Sequence, residues 1–66
     1  MTVVVNGACW ELPEGATLAD VLMRLDVPGR GVAVALDGAV VPRASWPATA
    51  LADGAAVEVL TAVQGG

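Results

Sequence analysis

Thr2-Val3-Val4-Val5-Asn6-Gly7-Ala8-Cys9-Trp10-Glu11-Leu12 is the stretch from which the architecture follows. Its first four residues are β-branched, and such side chains prefer the pleated, half-buried surface of a strand. Asn6-Gly7 then supplies two adjacent positions that accept positive φ, the requirement of a tight two-residue hairpin turn. The return strand is predicted over Ala8 to Leu12. Period-two alternation with Glu11 on the wet side puts Cys9 outward and turns Ala8, Trp10 and Leu12 inward.

Downstream, Pro13-Glu14-Gly15 breaks the strand. Thr17 is placed to cap a helix, with Asp20 three residues later in a capping-box arrangement that uses the shorter acid. Leu18, Val21, Leu22 and Leu25 recur as one apolar stripe at helical spacing, which is core. Asp20 and Arg24, four apart, are expected to pair weakly on the exposed side. Pro28-Gly29 should prevent continuation of the helix. Next comes a strand from Val32 to Leu36, a second hairpin-type turn at Asp37-Gly38, and a short strand from Ala39 to Val41. Pro42 to Asp53 reads as irregular, with a turn at Ala52-Asp53-Gly54. The last strand follows, its Val57 and Val59 inward and Glu58 outward. A hairpin, a helix and further strands after it describe an α+β domain with one helix covering one sheet face.

Composition narrows the class. Sixty-six residues form a single domain, 1–66, in which 56% of residues are hydrophobic and every apolar element must join one core. The net charge is -4, with three basic residues against seven acidic ones, so the basic patch that nucleic-acid binding needs is missing. Docking onto a basic partner surface suits this balance. There is no His and one Cys, which leaves no metal cluster, Cys-His pair or internal disulfide framework. No apolar run approaches the ~20 residues needed to span a bilayer, and no signal-peptide pattern opens the chain. A cytoplasmic protein without a membrane or nucleic-acid partner is expected.

The element order is that of the β-grasp, the ubiquitin-like fold, with a mixed sheet of about four to five strands and one helix packed on one face. Local motifs narrow the likeness: Val3-Val4-Val5-Asn6-Gly7, Thr17-Leu18-Ala19-Asp20-Val21-Leu22, and Ala35-Leu36-Asp37-Gly38-Ala39-Val40-Val41-Pro42-Arg43. Trp46, Asp53-Gly54 and Val63-Gln64-Gly65-Gly66 complete the pattern. Across its whole length the chain resembles the ThiS family, the sulfur carriers of thiamine thiazole synthesis. Val substitutes for larger residues that such carriers often place in the sheet core.

The resemblance implies a site at the end of the chain. A main-chain carboxylate is a poor acylating agent and accepts a nucleophile only after conversion to a mixed anhydride. The family pattern assigns that conversion to a ThiF-like adenylyltransferase, which spends ATP to form an acyl-adenylate on Gly66. A persulfide donor then displaces AMP and leaves a thiocarboxylate for a ThiG-like thiazole synthase. The chain itself is expected to bind no cofactor and no metal and to be a carrier and substrate, not an enzyme. Gly65 and Gly66 lack Cβ, so they can thread a narrow channel and keep the carbonyl carbon uncrowded. A tail that is mobile beyond Val63 is expected.

Ala33, Ala35, Leu60 and Ala62 should share the sheet face turned away from the helix, a flat apolar surface for partners, with Val63 and Gln64 joining it to the terminus. Cys9 reads as an ordinary half-buried strand cysteine, with a sulfur-relaying thiol as the alternative. Arg43 either meets a partner's acid or steadies the Pro42 to Trp46 turn. Trp46 is placed as a lid on the core and Trp10 within it. Two other functions fit the same sequence: a molybdopterin-synthase small subunit or other biosynthetic sulfur carrier, and a β-grasp interaction module without acyl chemistry.

Overall fold

β1 (Thr2–Val5) and β2 (Ala8–Glu11) pair antiparallel from Val5 opposite Ala8 to Thr2 opposite Glu11. The turn between them has Asn6 at φ 49° and Gly7 at φ 82°, the doubly left-handed geometry that Asn-Gly provides at little cost. A computed structural model describes residues 1–27 and 30–61 of the chain. Within them lie α1 (Leu18–Leu25), β3 (Val32–Leu36), β4 (Ala39–Val40), a 3₁₀ helix (Arg43–Ala48) and β5 (Ala56–Thr61). The strands form one mixed sheet in the order β2-β1-β5-β3-β4. β5 is therefore central, parallel to β1 and antiparallel to β3. This is the β-grasp architecture.

α1 lies against the face that carries Val3, Val5, Val34, Val57 and Val59, all buried. Its Leu18, Val21 and Leu22 are buried against that face, and Leu25 is partly so. Thr17 caps it as expected: its hydroxyl accepts from the Asp20 N–H, and the Asp20 carboxylate accepts from the Thr17 N–H at 2.8 Å. That bond occupies Asp20, so no ion pair with Arg24 forms. Arg24 instead reaches back to the Glu11 carbonyl at 3.4 Å, with its guanidinium 5.8 Å from the Trp10 ring centre. The helix ends earlier than Pro28-Gly29 implies. Asp26 adopts a left-handed conformation, φ 53°, and its N–H meets the carbonyls of Leu22 and Met23. Pro28 and Gly29 lie outside the described residues.

The inward assignment of β2 is corrected in part. Leu12 is buried, Trp10 is half-buried, and Ala8 is exposed. An eight-residue helix is about 12 Å long and cannot cover five strands, so the tip of the edge hairpin stays wet. β2 and β4 each end one residue before the predicted Leu12 and Val41. Even so, the N–H groups of those residues bond to Met1 and Val34, at 2.8 and 2.9 Å.

The 3₁₀ helix is an element that the sequence reading left as irregular chain. Pro42 enters it at φ -62°. Trp46, buried as expected, lies over the core with its indole N–H bonded to the Val41 carbonyl at 2.9 Å. Arg43 stacks above that ring, 5.9 Å from its centre, which supports the local role for this arginine.

Packing and capping predict different penalties. Leu18→Ala, at a fully buried site, should lower the unfolding free energy by about 2–5 kcal/mol. Thr17→Ala should cost about 1 kcal/mol. Urea titrations of both variants check this; equal losses would mean that the cap, and not the packing, anchors the helix.

Candidate functional site

Each β5 residue pairs with a neighbour whose side chain shares its face, so the register determines what surrounds the described end of the strand. Leu60 lies opposite Ala33, Glu58 opposite Ala35, and Ala35 opposite Val40. These side chains share the sheet face away from α1. Ala33 is exposed and Ala35 half-buried. Leu60 is 68% and Val40 77% exposed, which makes them two of the three large apolar side chains most open to water among the described residues.

The expected grouping of Ala33, Ala35 and Leu60 is thus present. Val40 belongs with them and was not anticipated. Its signal was available, because a two-residue turn at Asp37-Gly38 forces Leu36 against Ala39 and therefore Ala35 against Val40. Glu58, outward as expected, stands inside the apolar strip beside Ala35. Ala62, Val63, Gln64, Gly65 and Gly66, the rest of the expected site, lie outside the described residues.

The described strand ends at Thr61, opposite Val32, the first residue of β3. A shallow open depression is lined there by Gly31, Val32, Ala33, Leu60 and Thr61. It adjoins a second one bordered by Ala35, Val40, Glu58 and Leu60. Neither has the enclosed walls or converging polar groups of a small-molecule site. Both lie on the sheet face away from α1, and the first reaches Thr61, the last described residue of β5.

Charge divides between the two sides. Arg24 and Arg43 stack on Trp10 and Trp46 on the helix side. The open face carries Glu58, and Glu11, whose carboxylate accepts a hydrogen bond from the Thr2 hydroxyl. Among the described residues no three His, Cys, Asp or Glu side chains come together as a metal site. No helix among them is long and apolar enough to cross a membrane. Cys9 is exposed, not half-buried, because β2 is an edge strand and Cys9 points to the uncovered face opposite Val4.

The family model for the ThiS family matches residues 3–66. The chain belongs to the ThiS family. Two solved structures are similar to this ThiS-family chain over its full length, both of a thiamine biosynthesis protein from Geobacter metallireducens. The crystal structure of that protein, named ThiS, is 35% identical, with a TM-score of 0.81 and complete coverage of both chains. Its solution NMR structure, also 35% identical, has a TM-score of 0.80 and is covered over 88% of its length. No protein of curated function matches. Membership places the chain among the small sulfur carriers of thiamine biosynthesis.

The family motifs now have structural roles in this ThiS-family chain. Trp46 of the 3₁₀ helix closes the core with Val41 packed against it, Pro42 caps that helix, Arg43 covers the outer side of the indole, and Asn6-Gly7 closes the first hairpin. The position of Cys9 gives a direct check. A disulfide reagent should titrate one thiol in the folded protein at a rate within about threefold of that in urea. Protection by much more than that would mean that the open face is covered in solution.

Proposed function

We propose that the chain carries sulfur for thiazole formation as a thiocarboxylate on Gly66. The family match that runs through residue 66 is the observation that carries this reading. A partner adenylyltransferase of the ThiF type binds ATP, for which this chain supplies no phosphate loop. The Gly66 carboxylate attacks the α-phosphorus, pyrophosphate leaves, and an acyl-adenylate remains. The terminal sulfur of a persulfide then attacks the carbonyl carbon and expels AMP. A second thiol then attacks the donor's sulfur in the resulting acyl disulfide, which expels the thiocarboxylate and leaves the two thiols joined as a disulfide. A ThiG-type synthase takes the sulfur from the thiocarboxylate.

The division of labour follows from the residues present. The carrier supplies the acyl carbon and a surface by which partners recognise it, and the chemistry of activation belongs to the partner. Gly65 and Gly66 leave the reacting carbon unhindered from either side. The face carrying Ala33, Ala35, Val40 and Leu60 borders Thr61, the last described residue of β5, which favours it as the docking surface of a partner that acts on Gly66. Carboxylates on that face favour a partner surface with basic residues around an apolar centre.

Two outcomes are expected. Incubation with ATP, a cognate activating enzyme and a sulfur donor should raise the intact mass by the oxygen-to-sulfur difference, with the change confined to the last residue. A chain lacking Gly66 that still takes up sulfur would defeat the proposal. Leu60→Asp should weaken partner binding about fivefold or more in a titration, because it places a carboxylate in the middle of the apolar strip. Since residue 60 is exposed, the same variant should unfold within about 0.5 kcal/mol of the parent. Unchanged affinity would remove Leu60 from the interface.

A further inference from the structure

β1 stops one turn too soon for its parallel neighbour. The β1 side of β5 is hydrogen-bonded through Val4 N–H to Ala55 at 2.8 Å and Asn6 N–H to Val57 at 2.9 Å. The next bonds of a parallel ladder would run from the Val59 N–H to the Asn6 main-chain carbonyl and from the residue 8 N–H to the Val59 carbonyl, but the chain turns away at Asn6-Gly7. The N–H and carbonyl of Val59 would then face an empty position. Both are satisfied by one side chain: the Asn6 carboxamide oxygen accepts from Val59 N–H at 2.8 Å, and its NH₂ donates to the Val59 carbonyl at 3.3 Å. The carboxamide takes the place of a peptide group and prolongs the ladder by one rung.

This rung is the last point at which the described β5 is held from both sides. Beyond it, Leu60 and Thr61 have only β3, through Ala33 and Val32. We infer that Asn6 is a positioning residue for the terminal carboxylate, holding β5 at Val59 so that the described strand reaches Thr61 from a fixed point. This rests on the carrier function proposed above. Without the carboxamide, the last two-sided hold moves back two residues to Val57. The part of the strand held on one edge only lengthens by about 7 Å. Ordering that longer lever in a partner's channel costs conformational entropy at the activation step, whereas docking through the open face does not sense it.

The side-chain chemistry at position 6 is restrictive. Asp37 and Asp53 make comparable bonds elsewhere, accepting from the N–H of Ala56 and Thr2 at 2.9 and 2.7 Å, but each only accepts. A carboxylate at position 6 would leave the Val59 carbonyl without a donor and set two oxygens against each other. A carboxamide does both tasks, and Asn also tolerates the positive φ that the turn imposes.

Asn6→Gly keeps the turn and deletes the rung; Asn6→Asp keeps the turn and the acceptor and deletes the donor. In amide hydrogen exchange followed by NMR, Asn6→Gly should accelerate Val59 at least about tenfold more than Val57 or Val34. With the activating enzyme at saturation, single-turnover adenylate formation should fall about tenfold in Asn6→Gly, with Asn6→Asp between it and the parent. The Kd for docking should stay within about twofold in both variants. Equal acceleration at Val57 and Val59 would overturn the inference, because it would show general loosening; so would an unchanged adenylation rate. A parent chain that accepts no nucleotide would remove the carrier reading and this role together, while the exchange comparison would still report whether the rung exists.

Discussion

The parallel pairing of β1 with β5 is the constraint on which the rest of the molecule depends. Two parallel neighbours cannot be joined by a tight turn, so the chain between them must cross a face of the sheet, and here it contributes α1, β3 and β4 on the way. The last described strand consequently inserts between the first and third. Val57 and Val59 become core residues, Val57 paired with strands on both edges and Val59 held between β3 and the Asn6 side chain.

Insertion of β5 also separates two surfaces. Helix, 3₁₀ helix and tryptophans cover one face, and the arginines that stack on those rings keep their charge at its margin. The other face is left bare, because the chain has one α-helix among its described residues and no further element to cover it. That face carries Ala33, Ala35, Val40, Glu58 and Leu60.

Several turn residues do more than turn. Asn6 and Asp37 each follow the last residue of a strand, Asp53 lies in the turn before β5, and each directs a side-chain oxygen at a strand's N–H. Short strands leave unpaired backbone groups at their ends, and unpaired groups are costly where water is excluded. In strands of two to six residues, such bonds form a substantial part of the ladder. The turn chemistry and the sheet therefore stabilise one another.

Local chemistry made much of this legible. The Asn6-Gly7 and Asp37-Gly38 turns, the Thr17 cap with Asp20, the helical stripe and the inward phase of Val57 and Val59 each depend on residues adjacent or one turn apart in the chain, and all appear as expected. The burial of Trp46 was legible too, although its indole bond and the 3₁₀ helix around it were not, since both depend on what lies beneath. Periodicity named Ala8 and Trp10 as inward because it cannot know how far a helix extends across a sheet. It assigned Cys9 partial cover for the same reason.

Sequence alone determined the strands, the α-helix and their order, because propensity and alternation are short-range properties. Tertiary structure alone decided which strands are neighbours. Through that it decided that Val40 joins Leu60 on the open face, that Arg24 leaves Asp20 for Trp10, and that Asn6 reaches Val59. Those are contacts between residues far apart in the chain, and only the closing of the sheet around β5 brings them within reach.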